Sequence, residues 1–190
     1  MASAITHFIV AGVLALPAIE SRTLRGVLPR WAIPLSCAMF GAFPDFDTIT
    51  MRVFDIPYRS FFGHRGFFHS PLFLILFAAA AAGLIARRQR GAILKLASIW
   101  AVAAITHPLL DMLTDGGAGV MLLLPFSEDR LFFPWHPIHV SPLRISRFPD
   151  VASYVLRSEL PFCLAAIGIG IAAWTAARFA SARHATVAGE

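Results

Sequence analysis

Apolar residues lie along this chain in long runs, and charges collect between them. Residues 71–86 run without a charge and end at Arg87, Arg88 and Arg90. Residues 159–177 carry only Glu159, at their edge. Residues 92–113 are apolar except for Lys95 near one end and His107 and Asp111 near the other. A helix needs about 20 mostly apolar residues to cross the hydrocarbon core. Residues 4–19 and 31–43 are shorter, so they tilt, thin the bilayer or stop partway across. Residues 118–140 are also apolar, but Pro125, Pro134 and Pro137 interrupt them. Proline removes a backbone donor, which argues against a continuous span there. Trp135 and the phenylalanines suit an interfacial loop or hairpin instead. The pattern predicts an all-α fold: a polytopic membrane bundle of about five helices with an interfacial loop. A single domain over residues 1–180 is expected, followed by a polar tail over 181–190 in which His184 is solvated.

Composition supports this class. Hydrophobic residues make up 57% and charged residues 14% of 190 residues, against about 45–50% and about 25% in soluble domains. Disorder, collagen-like repeats and a disulfide scaffold are excluded. Cys37 and Cys163 sit alone in apolar runs and read as packing residues. His7 interrupts the first apolar stretch and no basic region precedes it, so residues 5–19 read as a retained span and not a signal peptide.

The net charge of +5 says more about orientation than about nucleic acid. Basic residues fill two short connections, Arg22, Arg25 and Arg30, then Arg87, Arg88, Arg90 and Lys95; Arg178 and Arg183 follow near the end. The positive-inside rule puts these in the cytoplasm. By alternation the amino terminus, residues 44–70 and residues 114–158 fall outside. The arginines form no groove-sized patch, so no direct nucleic-acid partner is expected.

Ionisable residues are costly in a membrane protein, so their positions carry information. His7 lies in the first span, Asp45 and Asp47 follow the second, His64 and His69 precede the third, and His107 and Asp111 lie on the fourth. The predicted topology brings all of them to one end of the bundle. His107 and Asp111 are four apart, so one helix face can grip a cation through both. Thr114 continues that stripe, and Pro108 is placed to kink the helix. Ser70 and Pro71 read as N-cap and first residue of a helix. Gly66 allows a close backbone turn, and Arg65 offers a forked donor for phosphate or carboxylate. A metal site is expected. His136 and His139 are weaker candidates in an interfacial segment, and Asp150 reads as a turn residue.

THFIV near the start, FPDFD, GHRGFFHS and THPLLDMLTDGG, in this order, resemble the YdjM family of inner-membrane metal-dependent hydrolases. One member of that family is described as binding LexA. The motifs cover residues 6–126, about two thirds of the chain. The family is similar, distantly, to zinc-dependent phospholipase C and to zinc nucleases, which hold clustered zinc on a helical core. The resemblance implies His7, Asp45, His69, His107 and Asp111 as metal ligands, with Asp111 as the natural bridge between two ions. Asp47 and His64 match family positions as ligands, ligand supports or acid/base groups. Phe68 and Thr48 depart from the family pattern, which often has Thr and His there.

The resulting expectation is a multi-pass protein of a bacterial inner membrane with its site at the periplasmic face. It would cleave a phosphoester of a lipid or other amphipathic substrate by metal-activated water. One to three ions are expected, zinc first, with manganese or iron as alternatives. Arg65 would stabilise phosphoryl charge, and His64 or Asp47 would protonate the leaving group. Phe132, Phe133 and Trp135 would admit a lipid tail. Two other classes fit the same residues: a non-catalytic membrane regulator with a structural metal that binds a soluble protein partner, and an ion transporter. The absence of an ionisable ladder across the middle argues against the transporter.

Overall fold

The computed structural model describes residues 1–143 and 145–187; the expectations for the side chain of His184 and for residues 188–190 of the tail lie outside the described residues. Helix α1 (Ala4–Leu14) starts at Ser3, whose hydroxyl accepts from the Thr6 N–H at 3.3 Å. A 3₁₀ turn (Leu16–Glu20) and the single-turn α2 (Arg22–Arg25) lead into α3 (Ala32–Ala42). A second 3₁₀ turn (Phe43–Phe46) joins α3 to α4 (Asp47–Val53). A third (Phe67–His69) precedes α5 (Pro71–Ile85), which is followed by α6 (Arg90–Asp111). The long α7 (Phe148–Val187) closes the chain.

By length and composition, α6 and α7 are long and apolar enough to cross a membrane. Helices α1 and α3 have 11 residues each, about 16 Å at 1.5 Å per residue, and cannot reach across a core of about 30 Å. Helix α5, with 15 residues, is intermediate. Helix α7 begins well before the expected residue 159, so Asp150 is not in a turn but in its first helical turn. A carboxylate there meets the positive end of the helix dipole.

Small residues set the packing. Buried Leu74, Ala78 and Ala82 of α5 lie in the core with Ala92, Leu96 and Trp100 of α6. Trp100 stacks on Phe40 with ring centroids 4.5 Å apart, and its Nε1 donates to Ser36 Oγ at 2.9 Å. Helix α1 meets α3 through Gly12 and Gly41; a Cβ on Gly41 would strike the Ala11 side chain and sit 3.0 Å from the His7 carbonyl oxygen. Without a hydrophobic force between helices in lipid, such close backbone approach is what dispersion requires. Both cysteines are buried and free, as packing residues. Helix α7 joins α1 through Glu159, whose carboxylate accepts from Ser3 N, from Ser3 Oγ at 2.6 Å and from Thr6 Oγ1 at 2.8 Å.

Helix α6 continues past Pro108 to Asp111. Ser70 occupies the N-cap position of α5 with Pro71 first in the helix, yet its hydroxyl donates to the Leu124 carbonyl at 3.0 Å and accepts no N–H from its own helix. Residues 112–143 are non-helical, as the prolines require, and contain a hairpin closed by reciprocal Val120 and Leu131 backbone bonds of 3.0 and 2.9 Å. Its Met121 N–H donates to the Arg65 carbonyl at 2.9 Å, which ties it to the loop before α5.

Candidate metal centre

Five separate pieces of chain deliver polar side chains to one end of the bundle. His7 comes from the first turn of α1, Asp45 from the 3₁₀ turn after α3, and Asp47 from the start of α4. His64, Arg65 and His69 come from the loop and turn before α5, and His107 and Asp111 from the end of α6. Asp111 is the hub. Its Oδ1 lies 3.4 Å from His7 Nε2, and its Oδ2 lies 3.6 Å from His69 Nε2 and 3.8 Å from His107 Nε2. Asp45 Oδ1 lies 3.4 Å from His107 Nε2. The His7 and His107 rings stack with centroids 3.5 Å apart.

Neighbouring groups decide which ring nitrogens are free. His107 Nδ1 meets the Gly41 carbonyl at 2.8 Å; a carbonyl only accepts, so Nδ1 carries the proton and Nε2 keeps a lone pair. His64 Nδ1 meets Asp47 Oδ1 at 2.9 Å, which likewise leaves Nε2 unengaged. Asp47 Oδ2 accepts from the Arg65 backbone N–H at 3.2 Å and lies 3.2 Å from His69 Nδ1. Burial pushes the Asp47 carboxyl up, but hydrogen bonding to His64 and His69 outweighs it and holds Asp47 well below the usual carboxylate range. Burial pulls His64 down more than Asp47 raises it, so its ring is neutral, as a metal ligand must be. Burial pulls His69 down, but the Asp111 and Asp47 carboxylates on either side outweigh it and push it up to about 9, so a cation bound there displaces its proton.

Among the described residues, eight buried side-chain nitrogen and oxygen atoms lack a hydrogen-bond partner, and all eight belong to His7, Asp45, His64, His69 and His107. Each such atom costs about 1–3 kcal/mol when buried unpaired. One imidazole nitrogen or carboxylate oxygen from each of these residues, together with Asp111, fits divalent cations. Two groups can hold one: His7, His107 and Asp111, and Asp45, His64 and His69, with ligand atoms within 4.8 Å of one another in each.

The five ligands that the resemblance implies are therefore brought together, and His64 joins them. Asp47 supports His64 and touches His69. Arg65 is fully buried, and its guanidinium is taken up by Asp111 Oδ2 at 3.0 Å, the Gly116 carbonyl at 3.1 Å and Thr114 Oγ1 at 2.8 Å. Three of its five N–H donors are taken in this way, and its full burial keeps the rest from the surface. Its backbone sits in the left-handed region at φ 61°, a conformation costly for a side-chain-bearing residue. His139 pairs instead with Asp115 at 2.6 Å and stacks on Tyr154, and His136 is exposed beside Phe132. Neither belongs to the two groups. Gly41 and Glu159 carry roles that sequence reasoning missed. Gly41 offers no side chain to notice, and Glu159 stood out only as a charge at the edge of an apolar run.

No solved structure matches this chain. It is similar to the inner membrane protein YbcI of Escherichia coli (strain K12), at 36% identity over 118 residues, which cover 62% of this chain and 68% of that relative. The matching family model extends over residues 1–185, almost the whole chain and all of the metal-capable cluster. This chain belongs to the YdjM inner membrane protein family.

Proposed function

We propose that this membrane protein is a metal-dependent hydrolase of phosphoesters, with its site at the periplasmic face of the inner membrane. The observation that carries the reading is the set of eight unpartnered buried side-chain atoms around Asp111. His7, His107 and Asp111 would hold one divalent cation and Asp45, His64 and His69 a second, zinc being the ion best suited to imidazole and carboxylate donors. Such cations, when bound, supply an activated water and neutralise phosphoryl charge.

The chain's own residues position this centre. Asp47 holds the His64 ring in the orientation that frees Nε2, and the Gly41 carbonyl does the same for His107. Arg65 fixes the Asp111 carboxylate from behind. In this reading His64 is a ligand and Asp47 a positioning residue; neither keeps a proton near neutrality to give to a leaving group.

A second reading is a structural metal centre in a non-catalytic regulator that binds a soluble partner. Near-complete burial of the ligands favours it, because structural metal sites are closed. The cavity that Asp45 lines favours catalysis, which needs room for a substrate beside the metal. The test is elemental analysis of purified protein together with phosphodiester and phospholipid hydrolysis by wild type, His107→Ala and Asp111→Ala. Joint loss of metal and turnover supports the hydrolase. A full metal complement without turnover on a broad phosphoester panel supports the regulator. For sidedness, Ser60→Cys should label from outside the cell; labelling only from the cytoplasm would reverse the orientation.

A further inference from the structure

The cluster is sealed on nearly every side. Asp45 alone among its members keeps exposure, 11% of its side chain, while the other ligands are fully buried. Both Asp45 carboxylate oxygens are themselves buried, so the exposed part is the back of the side chain. The same residue lines a cavity of about 300 Å³ between α1, α4 and the segment that leads into α7.

The lining of this cavity mixes apolar groups with a few polar ones. Its walls are apolar, from Ile5 of α1, Ile49 of α4, Leu143 and Phe148. Its polar rim carries Arg52, one turn along α4 from Thr48. Arg52 Nη2 donates to the Leu143 carbonyl at 2.8 Å, and among the described residues no carboxylate pairs with the guanidinium. It is exposed, and among the described residues nothing else bonds its fork. An unpaired guanidinium beside an apolar trench suits a ligand with an anionic head and a hydrocarbon body. The charge of Arg52 also offsets the repulsion that Asp45 presents to an incoming anion. The volume is at the small end of small-molecule sites, enough for a head and one chain and too small for a two-chain lipid. The aromatic stretch at Phe132, Phe133 and Trp135, expected to admit a lipid tail, does not line this cavity.

We propose that this cavity binds a single-chain amphiphilic phosphoanion, with its phosphate on Arg52 beside Asp45 and its chain along Ile5, Ile49 and Leu143. That the ligand is a substrate rests on the hydrolase reading above; that it binds does not.

The test is photo-crosslinking with a decyl phosphate that carries a diazirine on its chain, using the full chain in phosphatidylcholine nanodiscs. Mass spectrometry should find saturable labelling at peptides that contain Ile5, Ile49 or Leu143. Decyl phosphate should compete; decanol and inorganic phosphate should compete at least tenfold less well. Arg52→Glu and Ile49→Trp, both at exposed positions, should each cut labelling about tenfold with metal content unchanged, and Arg52→Lys should recover part of it. Labelling confined to the outer faces of α5 to α7, or equal in Arg52→Glu and wild type, would overturn the proposal. Labelling as described without any hydrolysis of alkyl phosphodiesters sinks the hydrolase and leaves the binding site standing.

Discussion

Arg65 Nε donates to Asp111 Oδ2 at 3.0 Å, across 46 residues of sequence, with both side chains fully buried. Two further donors go to Thr114 Oγ1 and the Gly116 carbonyl. The arginine therefore holds the hub carboxylate and does not wait for a substrate. Breaking a buried pair by removing one partner costs about 3–5 kcal/mol. Arg65→Ala should lower the melting temperature strongly and release bound metal. Arg65→Lys keeps the charge without the fork and should fall between the two. A rise in KM with unchanged melting temperature and metal content would return Arg65 to a substrate-binding role.

Gly41 is where α1 and α3 come closest, and its carbonyl sets the His107 tautomer. A methyl group there meets Ala11 and the His7 backbone. Gly41→Ala should destabilise by about 1–3 kcal/mol, as overpacking does, and should lower metal occupancy by shifting His7. Gly83→Ala is the control, since nothing lies within 4 Å of its Cβ position. It should be neutral or gain up to about 1 kcal/mol of helix propensity. Thermal melts and metal analysis of both variants check this.

Glu159 locks α7 to the start of α1, the helix that carries His7. Glu159→Ala strands the Ser3 and Thr6 donors in a buried place, at about 1–3 kcal/mol for each unsatisfied group. Glu159→Gln keeps an acceptor and should lose less. Cys163 packs 3.5 Å from Thr6 Oγ1 at the same contact. Its maleimide labelling rate should rise in Glu159→Ala and stay near wild type in Glu159→Gln. Equal rates in all three proteins would show that Glu159 does not hold the contact.

Asp115 ties the long loop to its own return. It accepts from the Val140 N–H at 2.8 Å and pairs with His139, which stacks on Tyr154 of α7. Burial pushes the Asp115 carboxyl up, but the His139 and Val140 hydrogen bonds outweigh it and hold it below the usual carboxylate range. A carboxyl depressed by folding stabilises above its unfolded value of about 3.9 and loses that contribution as pH falls towards the folded value. Asp115→Asn should melt below wild type at pH 7, and the gap should close as pH drops under about 4. A gap that persists unchanged in acid would mean that the carboxylate charge does not matter.

Much of this was legible from one dimension. Residues 71–86 and 92–113 announced α5 and α6, because an unbroken apolar run has few other stable forms in lipid. The i, i+4 pair His107 and Asp111 declared a shared face, since that spacing is a property of the helix itself. Residues 31–43 read as too short for a full span, and α3 is short: it ends at Ala42, where Pro44 and the Asp45 turn follow. Arg65 read as a phosphate donor because sequence shows its charge but not its partners.

From the order of residues alone came the helical membrane class, the sparse ionisable set and the prospect that it gathers at one end. Those follow from local rules: hydrocarbon length, helix period and the cost of charge in lipid. Folding assigned the partners. It set Asp47 behind His64, Arg65 behind Asp111 and the Gly41 carbonyl behind His107, and it put Asp45 in the wall of a cavity. These contacts join residues 17 to 66 positions apart. Their geometry depends on how close the helices pack, and no local pattern along the chain encodes that distance.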